Sequence, residues 1–592
     1  MIEETMKNAE SMITKWDTNS SSITKVTSLF QHNKKEAKEF IRIVKDLRQA
    51  MHFLVSENSA SGKLVLAQKL MQIAMRRLEK EFYEILSANH NQIDPDSVKS
   101  RSSDGSGCFD EDDERRNEDE SRRAGDSITE VVENVTGPAI SDLKSIADCM
   151  VGSGYGKECV KIYKFSRKSV VDVGLYQLGI EHYKSSQIHK MNWEELEHMI
   201  KNWLNIIRFA VKAIFEGEKI LCDHLFSASK TIRDSCFSEI TSDGATNLFR
   251  FPEFIAKHKK SPDRIFPLME LYEAIFDLWP EIDSIFISES TSAIKSQALS
   301  SLHKLGDSIH TILSDFESKI QKDSSKTLVP GGGIHPLTES SMNYISSLTD
   351  YGRILSDIVA NFSPQKNSPL PESYFESPTS DHGSTTTSAL SVHLSWLILV
   401  LLCKLDRKAA LYKDAALSYL FLANNLQLII EKVRTSDLKF VLGDEWMLRH
   451  DKKIRQFCLN YESMAWNKVF SCIPDRTSPL TSEAAVECFR RFSSAFEEAY
   501  KKQTSWFAPN SRLREELKLS IEKKLVPLYR EFYDTYWVMV SEERNLDVLA
   551  MFQPDDLKNY FSDMFRGTRI SGSSLSSSSS SSSLHLHGCL PR

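Results

Sequence analysis

The stretch from Leu411 to Val433, LYKDAALSYLFLANNLQLIIEKV, constrains the fold of this chain more than any other stretch. It has the length of a helix and few helix-breaking residues, and its apolar residues recur on nearly every side of a helical projection. A helix that is apolar all round must be surrounded by other elements. The sequence therefore predicts a helix buried in the core of a large protein.

A second apolar run, LSWLILVLLCKL from Leu394 to Leu405, lies just before it. A helix needs roughly 20 apolar residues to span the hydrocarbon core of a bilayer, and this run of about a dozen is too short. We therefore expect a second core helix, packed next to the first.

Length and charge limit the class of protein. The chain has 592 residues, of which 41% are hydrophobic. Because a single core stops growing at roughly 250 to 300 residues, several packed modules are expected. The formal net charge of -7 argues against a protein built to coat nucleic acid, so no nucleic-acid partner is predicted. The cysteines lack C-x-x-C spacing, which predicts reduced thiols and a cytoplasmic location.

Near the amino terminus, apolar residues are spaced alternately by three and four, as in a coiled-coil seam. The seam consists of Ala37, Phe40, Val44, Leu47, Met51 and Leu54. A second apolar face follows it, with Ala67, Met71, Ala74, Leu78, Phe82 and Ile85. Two interpretations fit: a seam open to a partner protein, or two helices paired with each other in a hairpin.

Composition divides the chain into four segments. Residues 1–87 are predicted to form a helical, coiled-coil-like region, and residues 88–126 a disordered acidic and serine-rich linker. Helical patterning covers 127–567, apart from a Ser-, Thr- and Pro-rich insertion at 363–388 that is predicted to be mobile. Residues 568–592 are predicted to be a disordered serine-rich tail. Because alternating β-branched runs are scarce, the predicted fold class is all-α.

Three short motifs imitate functional sites. Gly152–Glu158 (GSGYGKE) lacks the spacing and the hydroxyl of a phosphate-binding loop, so we expect a glycine hinge between helices. Pro330–Gly333 lacks the lysine of such a loop and predicts a flexible approach to a helix beginning near Leu337. Trp193 and Leu196 match an aromatic-x-x-aliphatic peptide motif, but they continue a helical face and are predicted to pack in the core.

The order of several longer stretches resembles the Exo-seventy family, the seventy-kilodalton exocyst complex subunit, and within it the expanded plant-type branch. The stretches that carry this resemblance are residues 152–181, 220–240, 264–282, 331–351, 395–446, 505–536 and 553–567, and AMRRLEKEF at 74–82 fits the family's amino-terminal region. Together they cover most of residues 128–567.

The resemblance implies an elongated rod of stacked antiparallel helical bundles. It also implies a subunit of the exocyst complex, which tethers secretory vesicles to the plasma membrane before fusion. The implied partners are the other exocyst subunits, a phosphoinositide-containing membrane that recruits the protein peripherally, and small GTPases or immune and autophagy proteins. The alternative is a diverged paralogue that acts as an adaptor in immunity, autophagy-related transport or cell-type-specific secretion, with weakened lipid binding.

The resemblance places the family's membrane contact near the carboxyl terminus, where basic side chains meet phosphoinositide headgroups. Two lysines of the family correspond here to Val548 and Met551, which favours weakened lipid binding. A weaker candidate patch consists of Arg512, Arg514, Lys518, Lys523, Lys524 and Arg530. The alternative is a solvated helix face on which these cations pair with neighbouring glutamates. No catalytic or metal-binding group emerges from the sequence, so neither an enzyme nor a cofactor is predicted.

Overall fold

The computed structural model describes residues 2–17, 28–57, 62–88, 139–360, 389–474, 480–541 and 552–567. Most of these residues lie in helices, and within them an isolated bridge between Phe507 and Arg566 is the only β-type pairing. The predicted all-α class is therefore confirmed. The insertion at 363–388, the serine-rich tail and the linker from residue 89 onward lie outside the described residues.

The chain divides into two compact units, Met1–Ile312 and Leu313–Arg592. This division follows spatial contacts, so it does not test the four compositional segments, which stay a prediction. The helices of the first unit are α1 Ile2–Lys15, α2 Leu29–His32, α3 Lys34–Glu57, α4 Gly62–Ala88, α5 at residues 139–152, α6 Gly156–Gln177, α7 Ser185–Ile188, α8 Trp193–Phe209, α9 Glu216–Leu225, α10 Lys230–Ala256, α11 Ile265–Asp277, α12 Trp279–Ile285 and α13 Ser292–Lys322, whose last residues belong to the second unit.

The second unit continues with α14 Pro336–Ser347, α15 Gly352–Ala360, α16 Ala389–Ala409, α17 Ala415–Arg434, α18 Leu438–Phe470, α19 Ser482–Thr504, α20 Ser511–Ser541 and α21 Asp556–Ser562. A short 3-10 turn, Pro330–Gly332, precedes α14.

The amino-terminal helices pack on one another. Helix α1 contacts α3 and α4, α3 contacts α4, and α4 contacts α6. All the seam residues except the half-buried Met51 are buried in this packing: Ala37, Phe40, Val44, Leu47 and Leu54. The structure therefore has the hairpin of the two interpretations, with a third helix added. An open seam is not present, because its side chains already contact the protein's own helices.

Helix α17 contains most of the stretch from Leu411 to Val433 that first constrained the fold. It begins at Ala415, later than expected, because the Asp414 carboxylate caps the helix by accepting the N–H groups of Ala416 and Leu417 at 2.9 and 3.2 Å. No residue between 416 and 433 is exposed. Since α14, α16, α18 and the 3-10 turn all contact it, α17 is the wrapped core helix that the sequence predicted.

Helix α16 contains the second apolar run. The length of this helix corrects the argument that the run is too short to span a bilayer. It has 21 residues and is long and apolar enough to cross a membrane, because the helix continues on both sides of the run. Its leucines at 394, 397, 401 and 405 are nevertheless buried, and it contacts α14, α15, α17 and α18. The packing is that of a core helix.

Candidate functional surfaces

In the first unit, a buried carboxylate holds the start of α2. Glu81 of α4 is fully buried and accepts hydrogen bonds from the Ser28 hydroxyl at 2.7 Å and from the Leu29 N–H at 2.8 Å. Its charge is compensated by Arg77, one turn earlier and equally buried. The Arg77 guanidinium also lies 5.1 Å from the centroid of the Trp16 ring. We call Trp16, Ser28, Arg77 and Glu81 the carboxylate hub.

In the second unit, two neighbouring amides of α17 hold the segment before α14. The Asn425 side-chain oxygen accepts the N–H of His335 at 2.9 Å and the hydroxyl of Thr338 at 2.7 Å. Its side-chain N–H₂ donates to the carbonyls of Gly333 at 3.2 Å and Phe421 at 2.7 Å. This buried amide therefore has a partner for both of its polar atoms.

The neighbouring amide, Asn424, joins two segments that are distant in sequence. Its N–H₂ donates to the carbonyl of Gly332 at 2.7 Å and to that of Phe507 at 2.8 Å. The Phe507 N–H in turn donates to the Gly331 carbonyl at 2.8 Å. Asn424 and Asn425 are both buried, and we call the pair the amide hub.

The glycines before α14 are required by close approach and by backbone conformation. Gly331 and Gly332 have φ values of 66° and 72°, a backbone conformation that residues with a Cβ atom rarely adopt. A Cβ on Gly331 would lie 2.9 Å from the Ser505 carbonyl oxygen, and one on Gly332 would lie 2.8 Å from Leu417. The expectation of a flexible approach is therefore wrong: the amide hub fixes this segment up to the start of α14 at Pro336.

Of the six candidate lipid-binding cations, all on α20, most are paired with acids. Arg512 donates to Glu516 at 2.8 Å, although its side chain is 75% exposed. Lys524 lies 2.6 Å from the carboxylate of Glu462, which is largely buried. These are two of the five candidate cations that form an ion pair within the protein, the others being Arg514, Lys518 and Arg530.

Two further cations of α20 contact the segment around α21. The Lys518 side chain is only 9% exposed and donates to the Ser562 carbonyl at 2.9 Å. Arg530 forms an ion pair with Asp555. Both side chains attach the last described helix to α20, which is a structural role.

The two remaining candidates differ from each other. Arg514 is partly buried, donates to the Ala508 carbonyl at 3.1 Å and forms an ion pair with Glu515 at 3.6 Å. Lys523 is exposed and has no ion-pair partner among the residues that the structure describes. Val548 and Met551 lie outside the described residues. The structure therefore offers one unpaired exposed cation on α20 for a lipid headgroup, and the predicted patch stays a prediction.

The aromatic-x-x-aliphatic motif is part of a regular helix. Trp193 is the first residue of α8, after an Asn192 cap whose side chain accepts the N–H of Glu195 at 2.9 Å. Leu196 is buried, as expected for core packing, but Trp193 is only half-buried, so the prediction of core packing is wrong for Trp193. Gly154, with φ 88°, makes the predicted turn between α5 and α6.

The eight described cysteines are free, and most are buried. Burial raises the pKa of the Cys149 thiol to about 11 and that of the Cys159 and Cys458 thiols to about 12. These thiols are protonated near neutral pH and are poor nucleophiles. Among the described residues no group of His, Cys, Asp and Glu could hold a metal ion.

Two family models match the chain. The model of the amino-terminal part of the exocyst complex component Exo70 matches residues 5–88, and the model of the carboxyl-terminal part of the Exo70 exocyst complex subunit matches residues 201–563.

Relatives and solved structures agree with these matches. The chain is 28% identical to "Exocyst complex component EXO70A1" of Arabidopsis thaliana, over 96% of this chain and 89% of the relative. It is 30% identical to "Exocyst complex component EXO70B2" of the same plant, over 83% of this chain and 78% of the relative. The crystal structure of the S. cerevisiae exocyst component Exo70p is similar with a TM-score of 0.62 at 17% identity, over 96% of this chain and 100% of that chain. At that identity the likeness shows a shared fold.

Proposed function

The chain belongs to the plant-type branch of the Exo70 family of exocyst complex subunits, and we propose that it tethers secretory vesicles to the plasma membrane before fusion as a peripherally recruited subunit. The observation that carries this proposal is the match of the carboxyl-terminal family model over residues 201–563 of a chain whose described residues are mainly helical. The protein acts by binding other proteins through its helical surfaces, and the other exocyst subunits are its first partners. Small GTPases and immune or autophagy proteins are further partner classes within this proposal.

Recovery of the complex tests the proposal directly. The full chain, carrying an affinity tag, is expressed in plant cells and purified from a membrane-rich lysate, with the tag alone as the control. Mass spectrometry is expected to find the other exocyst subunits with the tagged chain and to find none with the tag. Recovery of no exocyst subunit would overturn the assignment to the complex.

A second candidate, an adaptor with weakened lipid binding, is favoured by the charges of α20. Five of its six candidate cations form an ion pair, and Lys523 alone is exposed without an acidic partner among the described residues. A phosphoinositide headgroup binds where several free cations meet on one face, each contributing roughly 1 kcal/mol. We therefore propose that α20 contributes little to membrane binding in this chain.

Vesicle sedimentation tests whether α20 contributes to membrane binding. Vesicles with and without phosphoinositide are mixed with the full chain, with Lys523→Glu and, as a matched control, with Lys69→Glu on the first unit. Both variants are expected to sediment like the parent chain. A loss of binding in Lys523→Glu alone would restore the α20 patch as the membrane contact.

A gain of membrane binding can be tested at the positions of Val548 and Met551. Val548→Lys with Met551→Lys adds two charges, which at roughly 1 kcal/mol each should tighten binding to phosphoinositide vesicles about thirtyfold. Phe165→Lys with Tyr176→Lys is the matched control, because these side chains are 74% and 69% exposed and lie in the first unit. An equal gain in both variants would mean that added charge, and not its position, attracts the vesicles.

A further inference from the structure

Two segments of the first unit bring unpaired cations together. One surrounds α7, and the other joins α10 to α11. The rings of His189 and His258, one from each segment, stack with 6.4 Å between their centroids. The centroid of the Trp193 ring lies 6.3 Å from that of the His258 ring. The two segments therefore form one continuous surface.

Arg264, which ends the second segment, contacts Trp193, which directly follows the first. Its guanidinium carbon lies 4.3 Å from the centroid of the Trp193 ring, and one of its amino groups lies 2.9 Å from the Nδ1 atom of His258. The same amino group donates to the Lys259 carbonyl. These contacts orient a positive charge that has no carboxylate beside it, since none of the ion pairs within the described residues includes Arg264.

Four lysines belong to the same two segments: Lys184, Lys190, Lys259 and Lys260. All four are exposed, and none forms an ion pair within the described part of the chain. The neighbouring Lys257 differs, because it lies 2.6 Å from the carboxylate of Glu253. We call Trp193, Arg264 and these four lysines the loop cluster.

The charge of the two segments is opposite to that of the chain. Residues 181–192 and 257–264 contain six basic residues and two acidic ones, Glu181 and Asp263, which gives a net charge of 6 − 2 = +4. The whole chain has a net charge of -7. Two more acids, Glu194 and Glu195, follow in the first turn of α8, where Glu195 accepts the N–H of Asn192 as part of the helix cap. An excess of unpaired cations remains.

The surface also lacks an apolar anchor. The exposed large hydrophobic side chains of the described residues include none between Tyr176 and Ile220 and none between Ile220 and Ile287. Peripheral membrane binding draws on buried apolar area as well as on charge. A polar ligand therefore fits the loop cluster better than a bilayer does.

We propose that the loop cluster docks an acidic peptide segment of a partner protein. Carboxylates of the peptide pair with the four lysines, and one carboxylate reaches the Arg264 guanidinium, whose stacking on Trp193 orients its remaining N–H groups. Planar, oriented guanidinium groups suit carboxylates particularly well. The contact is independent of α20 and of the lipid binding discussed above.

A peptide titration with charge-matched variants tests this. A fluorescent twelve-residue peptide of glutamate and aspartate is titrated with the full chain, and its anisotropy is measured at about 0.1 M salt, where surface charges still interact over about 10 Å. The test variant carries Lys184→Glu, Lys190→Glu, Lys259→Glu and Lys260→Glu. The control variant carries Lys69→Glu, Lys157→Glu, Lys161→Glu and Lys230→Glu, four exposed lysines of the same unit with the same change in charge.

We expect the parent chain to bind the peptide and the test variant to bind it at least about tenfold more weakly. The control variant should change the affinity by less than about threefold. The reason is that single exposed ion pairs contribute modestly but add up in a cluster. Circular dichroism verifies that both variants remain folded. Absence of peptide binding by the parent chain, or equal losses in both variants, overturns the proposal. So does a result in which the test variant loses binding to phosphatidylserine vesicles while peptide binding is unchanged.

Discussion

Each unit holds an irregular backbone segment in place, one with a charged side chain and the other with neutral side chains. The first unit uses a buried carboxylate, Glu81, whose charge Arg77 compensates. The second unit uses the neutral amides of Asn424 and Asn425. A buried charge becomes very costly once its partner is removed, whereas a lost amide leaves only unmade hydrogen bonds. Single substitutions should therefore damage the carboxylate hub more than the amide hub.

Glu81→Ala should have the largest effect. It leaves the Arg77 guanidinium buried without a counter-charge and removes the acceptor of the Ser28 hydroxyl and the Leu29 N–H. Breaking a buried pair in this way costs about 3–5 kcal/mol. Hydrogen exchange followed by mass spectrometry should show faster exchange of the amides of α2 and α4, while α17 is unaffected.

Two controls isolate the charge as the cause. The double variant Arg77→Met with Glu81→Gln removes the unpaired charge and keeps an acceptor, so it should recover more than half of the loss. Glu84→Ala removes an acid that is 33% exposed and lies 3.5 Å from Lys80, and it should cost about 0.5 kcal/mol. A double variant as unstable as Glu81→Ala would show that packing, and not charge, dominates the carboxylate hub.

Asn425→Ala should have the next largest effect. It leaves the His335 N–H and the Thr338 hydroxyl without their acceptor, which costs about 2 kcal/mol. Exchange should become faster at residues 330–338 and in α17. Gln427→Ala on the same helix is the matched control, because its amide makes only a 3.4 Å contact with Glu431. A loss in Gln427→Ala as large as in Asn425→Ala would contradict the role given to the amide hub.

Asn425→Asp sharpens the comparison by placing a charge in the neutral hub. The carboxylate would face the carbonyls of Gly333 and Phe421, so burial and these oxygens should raise its pKa in the folded protein above that of the unfolded chain. The folded state then binds more protons, and its stability falls as pH rises. The variant should be less destabilised at pH 5 than at pH 8, and thermal melts at the two pH values measure the difference. A penalty that does not change with pH would mean that the hub is open to water.

Sequence periodicity predicted the helical core well and the hubs poorly. Helix α17 could be found because its apolar residues surround the whole helix. Only its start was misplaced, from Leu411 to Ala415, because the Asp414 side chain caps the helix. Arg77 and Glu81 have the spacing of an ordinary exposed i,i+4 pair, and nothing in the sequence shows that they are buried. Asn424 and Asn425 did carry a signal, because two adjacent amides interrupt a helix that is otherwise apolar. The loop cluster was missed because its cations come from two separate segments that only the fold brings together.

A smaller effect of pH on stability is expected from His450 in the second unit, whereas the amide hub itself does not titrate. Burial lowers the pKa of His450, whose ring stacks on Trp446 with 3.8 Å between the centroids. The unfolded chain therefore binds a proton more readily than the folded protein, and stability falls as pH drops below the unfolded value of about 6.5. His450→Gln should reduce this fall between pH 7 and pH 5, with a change smaller than that of Asn425→Ala. An unaltered pH dependence of the melting temperature would exclude His450 as the source.

The smallest effects should come from ion pairs on the surface, which test whether burial or charge distinguishes the two units. Arg512 on α20 pairs with Glu516, and Arg42 on α3 pairs with Glu39, and the arginine side chains are 75% and 65% exposed. Water screens such pairs, and many of them contribute nothing measurable to stability. Arg512→Ala and Arg42→Ala should therefore leave the melting temperature unchanged within experimental error in either unit. An Arg512→Ala variant as destabilised as Asn425→Ala in this measurement would mean that charge pairing stabilises the second unit as well. The contrast between a charged hub and a neutral hub would then lose its physical basis.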